Sequence, residues 1–120
     1  MNGKVDWNYA LDVVGGSTVL LLELIDIFFV EYPTLVAGIQ SSIESEAFPE
    51  LRRCAHTLKG CLRYFGETQA GRLSSELEIM GRDNQIERAN EVFRQLKTEL
   101  DSLLPEFTAF VASQSSETDV

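Results

Sequence analysis

The chain has a single histidine, His56, and its neighbours differ in charge from the rest of the sequence. Arg52, Arg53, Lys59 and Arg63 lie between Ala47 and Phe65 against one acid, Glu50, although the whole chain carries a net charge of −9. An imidazole nitrogen is a competent nucleophile near neutral pH, because much of it is unprotonated. Lys59 follows the histidine by three residues and Gly60 by four, so on a helix both stand about one turn beyond it. That set suits the transfer of a phosphoryl group, which asks a protein mainly for position and for charge on the phosphoryl oxygens. One cation ~4 Å from an anionic oxygen gains about 4 kcal/mol at an effective dielectric of about 20, before desolvation. Glycine costs a mid-helix position about 1 kcal/mol relative to alanine. That cost has a use if a side chain at position 60 blocks an incoming group.

The elements that must hold these residues are helices. No alternating strand pattern and no Asn-Gly or Asp-Gly hairpin signal occurs. A short first helix is predicted from Trp7 to Val14, stopped by Gly15-Gly16. Ser17 can cap a second helix that carries the apolar run from Val19 to Val30 and continues to about Ser45, with a kink or split at Pro33. The third begins at Phe48-Pro49 and ends at Gly66. Its stripe of Leu51, Cys54, Ala55, Leu58, Cys61, Leu62 and Phe65 faces the core, which turns Arg52, His56, Lys59, Gly60 and Arg63 outward. A fourth helix spans Thr68 to Arg82, with Ala70, Leu73, Leu77 and Met80 on one face. Asn84 and Glu87 read as a capping box for the last helix, whose Ile86, Ala89, Phe93, Leu96, Leu100, Leu103 and Phe107 form a bundle seam. Pro105 should bend or fray its end. The fold class is all-α: an antiparallel up-down-up-down four-helix bundle with a short extra N-terminal helix. Residues 1–113 form one domain, and 114–120 a disordered tail.

Ala55-His56-Thr57-Leu58-Lys59-Gly60, followed by Gly66, resembles the H-x-x-K-G signature of histidine-phosphotransfer domains, in which a glycine also follows the histidine by ten residues. The likeness runs from about Asn8 to Phe107. It includes the short leading helix, the Gly-Gly break and the acidic, apolar segment with Leu22-Glu23-Leu24 and Phe28. It implies that His56 is phosphorylated on its outer ring nitrogen, that Lys59 neutralises the phosphate and that Gly60 gives access. The implied partners are receiver domains of a hybrid sensor kinase or a response regulator. Magnesium is expected on the receiver, and no cofactor or metal on this chain. Many relay members place a glutamine at the position of Glu78. The glutamate here resembles chemotaxis-kinase phosphotransfer domains, in which it hydrogen-bonds the histidine's inner nitrogen and sets its tautomer. Arg52, Arg53 and Arg63 are candidates for a basic docking rim, and Leu11 and Val14 for its apolar part.

Other chemistries fit less well. The net charge of −9 argues against nucleic acid or an anionic membrane as the main partner. No glycine-rich nucleotide loop is present, so the expectation is a stoichiometric carrier, not an autonomous kinase. Cys54-x-His56 is a poor metal pair, since residues two apart point to nearly opposite sides of a helix. The two cysteines lie two turns apart, roughly 10 Å, too far for a disulfide, and read as reduced thiols of a cytoplasmic, monomeric protein. The rival reading is an adaptor bundle that docks a signalling partner without being phosphorylated.

Overall fold

The computed structural model describes residues 3–118. Five helices follow in order: α1 (Trp7–Val13), α2 (Thr18–Ser45), α3 (Phe48–Arg63), α4 (Gln69–Arg82) and α5 (Ala89–Thr118). No strand occurs among the described residues. α3 packs most extensively on α4, α2 on α3, α4 on α5, and α5 returns to α2, which closes a four-helix ring; α1 packs on α2. Two long helices, α2 and α5, give the molecule its 53 Å length, and the short pair α3 and α4 lies alongside them. No single helix among the described residues is long and apolar enough to cross a membrane.

The helix starts follow local chemistry. The Ser17 side chain accepts from the Leu20 N–H, and Thr68 accepts from the Gly71 N–H. Pro49 occupies the first turn of α3, where no ladder donor is lost. Three of the ends share one device. At the end of α1, Gly15 adopts a φ of 67°, and the N–H of Gly16 reaches back to Leu11 O at 2.7 Å. α2 ends the same way on Glu46 (φ 54°), with Ala47 N–H donating to Ser42 O. At the end of α4, Asn84 takes the left-handed position (φ 56°), and Gln85 N–H donates to Met80 O. This corrects the predicted capping box. Asn84 closes α4 and does not open α5, which starts at Ala89.

The interior is lined as the periodicity predicts. Leu51, Cys54, Ala55, Leu58 and Leu62 of α3, Ala70, Leu73, Leu77 and Met80 of α4, and Ala89, Phe93, Leu96, Leu100, Leu103 and Phe107 of α5 are all buried. Phe28, Phe65 and Phe107 meet one another at centroid distances of 4.7–6.2 Å, and Trp7 stacks on Phe110 at 4.3 Å. Neither proline splits its helix. α2 runs unbroken through Pro33, held on both sides by the buried Phe28, Leu35 and Ile39. α5 continues through Pro105 and on to Thr118, because Phe107 is fully buried and Phe110 is held by Trp7. The predicted disordered tail is therefore helical through Thr118; residues 119 and 120 lie outside the described residues. α3 stops at Arg63, three residues before Gly66, and a turn carries the buried Phe65 to that glycine.

Candidate functional site

His56 stands on the outer face of α3 with its side chain 66% exposed. It lies between Cys54 and Ala55, which are buried, and Leu58, also buried, so the core stripe itself turns it outward. Its Nδ1 lies 2.9 Å from Oε2 of Glu78 on α4. The other oxygen, Oε1, lies 2.7 Å from Nζ of Lys59. One carboxylate thus holds both the imidazole and the ammonium. Burial raises the Glu78 carboxyl, but the hydrogen bonds and charges of Lys59 and His56 outweigh it and hold the group below its ordinary value. An ionised Glu78 favours the tautomer in which Nδ1–H donates to Oε2, and in that tautomer Nε2 carries the free lone pair.

This contact depends on how closely α3 and α4 approach. Gly81 lies one turn beyond Glu78, and Arg52 one turn before His56. A Cβ placed on Gly81 would come within 2.6 Å of the Arg52 backbone nitrogen and 2.9 Å of the Phe48 carbonyl oxygen. Neither is a flexible side-chain end, so only glycine allows this approach. The sequence reading missed Gly81. The available signal was a glycine inside a helical pattern, which often marks close packing.

Gly60 is the opposite case. A Cβ there would meet nothing within 4 Å. The surface above it is open, and no packing inside the chain calls for glycine.

Arg52, Arg53 and Arg63 are exposed, but they are not equivalent. Arg53 is ion-paired to Glu50 on its own helix. Arg63 lines a groove of about 610 Å³ between α3 and α4, together with Lys59, Arg72, Ser75 and Tyr9. Leu11 and Val14 are half-buried and pack against the core. The apolar side chains that α1 offers to solvent are Tyr9 and Val13, at 47% and 43% exposure. Arg72 and Ser75 were not singled out in the sequence, where each is an ordinary polar residue of a helix. Cys54 is buried and Cys61 half-buried, both are free thiols, and burial pushes both above the ordinary thiol value. Among the described residues, no three His, Cys, Asp or Glu side chains gather in a way that could hold a metal ion.

The family model described as the Hpt domain matches residues 23–105, a span that contains His56, Lys59, Gly60 and Glu78. The chain belongs to the Hpt domain family. Hpt domains are phosphocarriers of two-component relays and work with receiver domains, so phosphotransfer in such a relay is the general role of this chain. Among solved structures, the crystal structure of histidine-containing phosphotransfer protein B (HptB) from Pseudomonas aeruginosa PAO1 matches with a TM-score of 0.81. The identity is 18%, and the match covers 91% of this chain and 95% of that one, so what the two share is the Hpt fold. Comparison with curated proteins gives no match.

Proposed function

We propose that this Hpt domain accepts a phosphoryl group on Nε2 of His56 from a receiver aspartate, within a histidine-kinase relay, and passes it to the receiver domain of a response regulator. The observation that carries this reading is the contact between Glu78 and Nδ1 at 2.9 Å, which engages the inner nitrogen and leaves the outer one free on an exposed ring. In the forward step Nε2 attacks phosphorus and the aspartyl O–P bond breaks. The carboxylate leaves, and the proton on Nδ1 stays against Glu78. The return step reverses these events on the next receiver. Magnesium belongs to the receiver in both steps.

Lys59 lies one turn from His56 and supplies positive charge to the phosphoryl oxygens. Gly60 keeps the approach clear. Nothing inside the chain needs a glycine at that position, so the demand comes from an incoming surface. α2 to α5 run up-down-up-down, which sets the outer faces of α3 and α4 side by side. The chain works as a monomer. Its docking rim consists of Arg52 and Arg63, with Arg53 more restrained by Glu50, and α1 adds apolar contact through the exposed Tyr9 and Val13, with Leu11 and Val14 packed beneath them.

Incubation with a phosphorylated receiver should label the wild type with an acid-labile, base-stable phosphate. His56→Gln should abolish the label and leave the fold intact, because an exposed side chain contributes little to packing. Label persisting in that variant would end the proposal. An unlabelled wild type that still binds the receiver would identify an adaptor.

A further inference from the structure

Most cations of this acidic chain are engaged inside the molecule. Among the described residues, Lys4, Arg53, Lys59, Arg82, Arg88 and Arg94 each have a nitrogen within 4.0 Å of a carboxylate oxygen. Lys97 sits over the Phe93 ring. Arg52, Arg63 and Arg72 form no ion pair among the described residues, although the chain holds 19 acids against 10 lysines and arginines; of the three, Arg63 and Arg72 reach the groove. Both line the same groove, Arg63 from α3 and Arg72 from α4, with Lys59 nearest to His56 along α3. Arg72 is steadied by its own helix, its Nε donating to Gln69 Oε1 at 3.0 Å. Asp6 and Glu67 lie by the α3–α4 loop, so the groove is cationic next to the histidine and mixed away from it. Asp6 is partly committed already, since its carboxylate accepts the Tyr9 N–H.

The geometry points to this groove as a docking channel for an acidic segment of the receiver partner, with Arg72 as a determinant of partner choice. The inference rests on the phosphocarrier reading for the identity of the partner. Charge complementarity selects the occupant, and continuity with the His56 site selects its place. Arg63 on α3 and Arg72 on the facing wall are the cations of the groove without an ion pair, and Lys59, four residues and about 6 Å along the axis from Arg63, continues the line while held by Glu78. Cations set out along a line match successive carboxylates of a chain better than one small anion, for which they would converge on a point. Charges at the rim of an interface act chiefly on the association rate and on the choice of partner.

The test uses full-length protein and a receiver domain from the labelling panel, with association followed by stopped flow at several salt concentrations. Arg72→Glu should lower the association rate about tenfold at low salt and flatten its salt dependence. Arg72→Lys should retain most of the rate. Arg94→Glu on α5 changes the net charge equally and controls for a general field effect; it should leave association close to wild type. Once docked at saturating receiver, Arg72→Glu should transfer at the wild-type rate. Equal association rates for Arg72→Glu and Arg94→Glu would overturn the channel, even with His56 labelled normally. Conversely, a wild type that binds through Arg72 but never takes label would overturn the phosphocarrier reading and leave the channel standing.

Discussion

A single carboxylate organises the residues around His56. Glu78 accepts from the histidine through one oxygen and pairs with Lys59 through the other, so its loss affects two groups at once. Glu78→Gln keeps a hydrogen-bond acceptor and removes the charge; it should slow transfer modestly. Glu78→Ala should slow it more, because the ring loses its orienting partner. Nitrogen-resolved NMR decides the point: identical tautomer ratios for His56 in the three proteins would make Glu78 an ordinary surface acid. The same contact has a stability consequence. The carboxyl is held below its ordinary value of 4.5, so near and below that pH the folded chain binds fewer protons than the unfolded one. The stabilisation is therefore complete above about 4.5 and is lost as pH falls through the depressed value. Glu78→Gln should flatten the pH dependence of the thermal midpoint in that acid range alone. Gly60→Ala should raise stability by up to about 1 kcal/mol, since alanine is the better helix former and the space is empty. Gly60→Leu should slow transfer; a wild-type rate would refute the access argument.

At the scale of the elements, the sequence shows most clearly what depends on near neighbours. The Ser17 cap, the Thr68 start and the seam of α5 all follow from residues within a few turns of one another. Asn84 shows the limit of local reading. Asparagine suits both a helix cap and a left-handed helix end, and the carbonyl of Met80 decided for the second. Pro33 suggested a kink or split and Pro105 a bent or frayed end because their missing donors are local, whereas the buried flanks that keep the helices continuous are not. The groove and the Gly81 contact were invisible for the same reason. Each is made by more than one element, and a sequence shows one at a time. Gly81→Ala tests the second. A methyl group there meets backbone, so the helices must part, at a cost of about 1–3 kcal/mol. The His56–Glu78 contact should weaken with it. Denaturant unfolding should show the loss, and the His56 tautomer ratio should move toward that of Glu78→Ala. An unchanged ratio would show that Gly81 serves packing alone.

On the scale of the whole molecule, stability and chemistry occupy different places. The aromatic cluster gathers around Phe65 in the turn after α3, nine residues beyond His56. Phe107→Ala should cost about 3–5 kcal/mol of stability while transfer at a permissive temperature stays near wild type. A large loss of transfer in folded protein would show that the two ends are coupled. The exposed ring of His56 has one further consequence, for time. Water reaches the outer nitrogen freely, yet both oxygens of the adjacent carboxylate are already engaged, so Glu78 is not free to activate that water. On the phosphocarrier reading, that carboxylate gives the chain no help in discarding its cargo. The lifetime of the phosphorylated protein should match that of unfolded phosphohistidine under the same conditions, and a signal held here would end when a partner arrives to take it.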